Sequence, residues 1–188
     1  MKNPRIWVWI TIAVVIIGVA LAIRFANSGG VSKQATRAPI QAPLKVGDTA
    51  PEFTAVTNQG YFDLAKTAKP VFLEVFATWC PHCQRETAII DQLYQKYSTQ
   101  VAFVAVTGSN TSMDGQGQSS EVDVLNFAQA LHAKYPLAYD GSLAVANKYL
   151  QGGFPTLVII GRDKKISFIT SGETPFSELD SAIKAALR

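Results

Sequence analysis

Cys80 and Cys83 are the only cysteines in a chain of 188 residues, and they stand two residues apart as Cys80-Pro81-His82-Cys83. Thiols at that spacing can close a disulfide with each other and reopen it against the sulfur of a partner, which suits the pair to thiol-disulfide exchange. A purely structural bridge and half of a zinc site are the competing uses. Zinc takes about four ligands, and beyond the cysteines the chain offers only His82 and the distant His132, so no metal is expected. A partly protonated His82 beside Cys80 would favour the ionised sulfur. Stabilising the reduced thiolate in turn makes the disulfide a stronger oxidant.

The flanking residues say how this pair is held. Val71 to Ala77 is an apolar run of strand length, rich in β-branched and aromatic residues and interrupted by Glu74. After the cysteines, Ile89, Ile90, Leu93, Tyr94 and Tyr97 recur at helical spacing. The pair therefore lies where a buried strand feeds a helix N-terminus, whose unpaired N–H groups and partial positive charge stabilise a thiolate. Pro81 suits the first turn, where its missing N–H costs nothing. Cys80, nearer the exposed turn, is the expected nucleophile, and Cys83, further along the helix, the expected resolving thiol.

Three neighbours carry expectations of their own. Glu74 sits on a strand that reads as buried, where desolvation raises a carboxyl pKa, making it a candidate to exchange protons with Cys83; the alternative is a strand-edge carboxylate that is paired or solvated. Glu86 lies in the second turn of the helix, where acids also stabilise helix starts. Trp79 is either a core aromatic or a lid beside the sulfurs.

Elsewhere in the domain, Phe53–Val56 and Tyr61-Phe62, separated by Thr57-Asn-Gln-Gly60, predict a hairpin covering one sheet edge. Residues 100–107 form a strand joined to the first by a β-α-β crossover, so the two are parallel. Residues 108–119 are polar and glycine-rich and predict a mobile loop. Ser120 and Asp123 form a capping-box pattern for a helix to about Lys134 that carries His132 as a surface or packing residue. A short strand at Leu137–Tyr139, a helix from Ser142 to Leu150 ended by Gly152-Gly153, and a strand from Thr156 to Ile160 follow. A turn at Gly161–Lys164 leads into a strand from Lys165 to Thr170. Thr174 caps a last helix with Pro175 at its first position and an apolar face of Phe176, Leu179, Ile183, Ala186 and Leu187. The sum is an α/β fold, a mixed central sheet flanked by helices.

Ala77-Thr-Trp-Cys-Pro-His-Cys83, preceded by a strand and followed downstream by Gly153-Phe-Pro-Thr156, resembles the thioredoxin superfamily. Val46-Gly-Asp-Thr-Ala-Pro-Glu-Phe53 and Glu86 narrow the likeness to its membrane-anchored TlpA and ResA type, over roughly residues 45 to 188. The resemblance implies a thioredoxin fold with an inserted helix near residues 120–134. It implies that Glu74 serves Cys83 as proton donor and acceptor, that Glu86 tunes the pair, and that Pro155 is cis and faces the sulfurs, with Phe154 and Thr156 beside it as a substrate shelf. It further implies reduction of disulfides in exported proteins such as apocytochromes c, re-reduction by a membrane electron-transfer protein, and no dissociable cofactor. Two features depart from the pattern: Pro81-His82 is the dipeptide of strong bacterial disulfide oxidants, and Thr87 follows Glu86 where Met-Pro or Phe-Pro is usual. An oxidase acting on exported thiols is thus the nearest rival. A non-catalytic module that binds metal or an apoprotein is a second, and the peroxiredoxin pattern Pro-x-x-x-Thr-x-x-Cys is absent before Cys80.

The N-terminus completes the expectations. Residues 1–5 carry Lys2 and Arg5 and read as cytoplasmic; residues 6–23 are nearly all apolar and read as a transmembrane anchor; residues 24–43 have the composition of a flexible linker. Ala20-Leu-Ala22 also fits a signal-peptide cleavage site, and either case exports the domain at 44–188. Lys2, Arg5 and Arg24 account for the net charge of +3, since the other 14 basic residues match 14 acidic ones. No basic stripe argues for nucleic acid, and a monomer is expected.

Overall fold

The structure is a computed structural model that describes residues 42–188. The expected cytoplasmic segment, membrane anchor and most of the linker lie outside the described residues. Among the described residues no helix is long and apolar enough to cross a membrane.

The chain opens with β1 (Thr54–Thr57) and β2 (Gly60–Asp63), an antiparallel hairpin. Then come β3 (Val71–Phe76), α1 (Pro81–Tyr97), β4 (Ala102–Thr107) and α2 (Glu121–Ala130). β5 (Leu137–Ala138), the single turn α3 (Ala146–Tyr149), β6 (Thr156–Ile160), β7 (Ile166–Ser171) and α4 (Phe176–Ala186) complete it. The strands form one seven-stranded sheet in the order β2-β1-β5-β4-β3-β6-β7. β3 runs parallel to β4 and antiparallel to β6, so the sheet is mixed, and the hairpin extends one edge.

β3 is buried at all six positions, and its alternation divides the core. Phe72 and Phe76 pack with Ile90 and Leu93 of α1, Phe127 of α2 and Ile183 of α4. Val71, Leu73 and Val75 pack on the opposite face with Phe53, Leu64 and Tyr149. Glu74, two residues from each phenylalanine, shares their side of the pleat and faces the layer that contains α1.

Four expectations are corrected. The polar segment 108–119 is folded on itself: Ser119 N–H donates to the Asn110 carbonyl at 2.7 Å, Ser112 N–H to the Gly117 carbonyl at 2.9 Å, and Tyr139 holds the Ser119 carbonyl at 2.8 Å. Its own polar groups supply the partners that apolar burial would otherwise have to replace. α2 starts on the expected box, with Ser120 N–H and Oγ both on the Asp123 carboxylate. It stops at Ala130, because His132 takes a left-handed φ of 54° and Ala133 N–H closes on the Ala128 carbonyl, a Schellman ending. The helix expected from Ser142 shrinks to α3, since Leu143 is also left-handed and Asp140 spends its carboxylate on the N–H groups of Ser142 and Val145. Thr174 does not cap α4; Pro175 takes that place, and the Thr174 N–H is used elsewhere, as described next.

Candidate active site

Cys80 is the N-cap of α1 in an extended conformation, with Pro81 in the first turn and the Cys80 carbonyl accepting from Gln84 N–H. Its thiol points at the Phe154 carbonyl oxygen, 3.8 Å away, and the Phe154–Pro155 peptide bond is cis. The helix start and the β6 entry, 74 residues apart in sequence, therefore meet at one sulfur. Thr156 is buried; its hydroxyl donates to the Gly153 carbonyl at 2.9 Å and accepts from Gln151 N–H, which ties down the loop carrying Phe154. Trp79 is 38% exposed, donates Nε1–H to Ser109 Oγ at 2.9 Å and stands edge-on to Phe154, so it is a wall beside the sulfurs and not a core residue.

Both cysteines are free thiols and both are buried, Cys80 at 4% exposure and Cys83 at zero. Burial pushes the Cys83 thiol far up, and the charge of Glu74 adds to the effect. Glu74 is itself raised to about 8, because desolvation outweighs a hydrogen bond from Tyr135. Tyr135 donates to Glu74 Oε2 at 3.2 Å, whereas Glu74 Oε1 has no hydrogen-bond partner among the described residues. The strand-edge alternative for Glu74 is thereby excluded: Ala105 and Leu157 flank it in register on both sides.

Glu86 is fully buried and accepts the Thr174 N–H on Oε2 at 3.1 Å. Desolvation raises it to about 7 in spite of that bond. Next to Thr174, Glu173 reaches the exposed rim of α1. Its Oε1 lies 2.5 Å from His82 Nδ1 and accepts from Arg85 Nε at 3.0 Å and Nη2 at 2.5 Å. Arg85, and after it His82, hold Glu173 down at about 2. A protonated His82 Nδ1 donates to Glu173, and an unprotonated one accepts from Arg85 Nη2, 2.9 Å away.

The expected residues Glu74, Trp79, Cys80, Pro81, His82, Cys83, Glu86, Phe154, Pro155 and Thr156 thus gather around one turn, while His132 stands exposed at the end of α2. Sequence reasoning missed Tyr135, Arg85 and Glu173. A buried carboxylate demands a donor, so some partner for Glu74 was signalled but not which one. Nothing local marks Glu173 as facing α1.

A family model described as Redoxin matches residues 45–183. The chain belongs to the Redoxin family. It is 30% identical over 132 residues to the thiol-disulfide oxidoreductase ResA of Geobacillus thermodenitrificans, covering 69% of this chain and 71% of that one. It is 28% identical over 144 residues to the ResA of Bacillus cereus, covering 75% and 78%. A crystal structure of a thioredoxin-family thiol:disulfide interchange protein from Chlorobium tepidum superposes with a TM-score of 0.61 at 26% identity, covering 78% of this chain and all of the other. The chain is a ResA-like member of the thioredoxin superfamily and a thiol-disulfide oxidoreductase.

Proposed function

We propose that this oxidoreductase reduces disulfides in exported proteins, on the extracytoplasmic side of a membrane to which residues 6–23 anchor it. Apocytochromes c awaiting haem are the substrate class, and a membrane electron-transfer protein restores the dithiol. The contrast between the two sulfurs carries the reading: Cys80 stands at a helix start against the Phe154 carbonyl, and Cys83 is sealed inside beside Glu74.

In the forward direction the Cys80 thiolate attacks one sulfur of a substrate disulfide held along Phe154, Pro155 and Thr156. The substrate S–S bond breaks, one substrate thiolate leaves, and a mixed disulfide forms. Cys83 then gives its proton to Glu74 and attacks Cys80 Sγ, so the mixed disulfide breaks and the second substrate sulfur leaves as thiolate and takes up a proton. Two electrons pass to the substrate, and Cys80 and Cys83 end as a disulfide. Trp79 walls the site, and Pro81, His82 and Glu86 tune the pair.

Charge favours the reducing direction over the oxidase. A strong oxidant relies on an over-stabilised thiolate. Here Glu173 pairs with Arg85 and so offsets the cation at the rim of α1 that would otherwise favour a thiolate at its N-cap. The test is the reduction potential of the pair, equilibrated against a thiol buffer. A value well below about −200 mV agrees with reduction, and one near about −120 mV overturns it in favour of the oxidase. A Cys83→Ser variant should accumulate exported proteins as mixed disulfides on Cys80; a variant that traps nothing would instead fit a binding module.

A further inference from the structure

Glu74 is reached from the segment between α2 and β5 by a side chain the mechanism has not used. Tyr135 is 1% exposed, and its hydroxyl lies 3.2 Å from Glu74 Oε2 and 3.4 Å from Thr87 Oγ1. Thr87 already donates its own hydrogen to the Cys83 carbonyl, at 3.0 Å. Its oxygen can therefore only accept, and the single Tyr135 proton must choose between Glu74 and Thr87. An ionised Glu74 attracts it, because a hydrogen bond to a charged acceptor is the stronger one. A protonated Glu74 can donate to the Tyr135 oxygen instead and turn the phenolic hydrogen toward Thr87. The chain then runs unbroken from Glu74 through Tyr135 and Thr87 to the Cys83 carbonyl.

We propose that Tyr135 is the positioning residue of the proton relay: it grips Oε2 of ionised Glu74, leaves Oε1 free to take the Cys83 proton, and swings to Thr87 once that proton has arrived. The inference rests on the reading of Glu74 as proton acceptor for Cys83. The step balances, since the proton leaving Cys83 Sγ resides on Glu74 while the Cys80–Cys83 bond forms and the partner's sulfur departs with the electrons of the broken bond. The other ionisable groups that act here, Cys83, Glu86 and Asp91, all come from α1. The strand neighbours Ala105 and Leu157 carry no charge.

The proposal fixes opposite signs for two substitutions. Tyr135→Phe removes the donor to the ionised carboxylate and raises the pH at which Glu74 becomes a base. Thr87→Val removes the alternative acceptor, destabilises protonated Glu74 and lowers that pH. The full chain is mixed with an aromatic disulfide reagent whose two halves become coloured on release. The first release marks attack by Cys80, and the second marks attack by Cys83 on the mixed disulfide.

The second rate should rise with pH through Glu74. Its midpoint should move up in Tyr135→Phe and down in Thr87→Val, and each unit of movement changes the rate about tenfold on the acid limb. The infrared band of the protonated Glu74 carboxyl should titrate with the same displacements. A loss by one factor at every pH, or two shifts of the same sign, would make Tyr135 a packing residue and overturn the proposal. Glu74→Gln separates the two failures: if it keeps the rising limb, Glu74 is not the acceptor and both readings fall. If it loses the limb while Tyr135→Phe leaves the midpoint in place, only the Tyr135 inference falls.

Discussion

A carboxyl that is harder to ionise in the folded protein than in the unfolded chain costs stability wherever the unfolded chain has already released its proton. Glu74, raised to about 8 by burial, is such a group. Above about pH 4.5 the unfolded chain holds fewer protons than the native state, so stability falls as pH rises toward 8. Glu74→Gln should therefore raise the free energy of unfolding at pH 8 by on the order of 2–4 kcal/mol, and the gain should vanish near pH 4. Chemical denaturation of both proteins across that range is the check, and a gain independent of pH would contradict the burial argument. Glu74 was visible in the sequence as one acid in an apolar strand. Tyr135 was not, because its hydroxyl arrives from 61 residues away.

Among the elements, the connection from β7 into α4 joins the two halves of the site. Ser171 Oγ donates to the Gly153 carbonyl, Gly172 N–H to the Pro155 carbonyl, Thr174 N–H to Glu86, and Glu173 receives His82 and Arg85. The Phe154 shelf is also held from below. A Cβ on Gly108, at the end of β4, would lie 2.6 Å from Val75 Cγ1 and 2.7 Å from Phe154 Cε1. Gly108→Ala should cost about 1–3 kcal/mol as overpacking and displace Phe154. KM for an extended disulfide peptide should then rise more than kcat falls, whereas a change confined to kcat would leave Phe154 out of substrate binding. The strand-turn-helix around the cysteines could be read from periodicity because it is local. The shortened α2 and α3 could not, since left-handed His132 and Leu143 leave no mark in a hydrophobic pattern.

At the scale of the molecule, opposed carboxyl groups set where the fold is most stable. Glu74 and Glu86 are raised, to about 8 and about 7, and erode stability as pH climbs above about 4.5. Asp180, held down by Lys184 and Lys96, and Glu173, held near 2 by Arg85 and His82, contribute stability that is lost as pH falls below about 4. Maximum stability is therefore expected between about pH 4 and 4.5, and denaturant midpoints from pH 3 to 9 test it; a plateau reaching pH 8 would mean the buried acids are not desolvated. By itself the sequence determined a C-x-x-C pair between a buried strand and an amphipathic helix, an α/β order of elements, and which residues could do sulfur chemistry. Each of those follows from composition and spacing within about 20 neighbours. Only the tertiary structure decided that Glu173, Thr174 and Tyr135 converge on that turn. Their positions depend on strand order and on loops that meet their own hydrogen-bonding needs, and neither leaves a periodic trace along the chain.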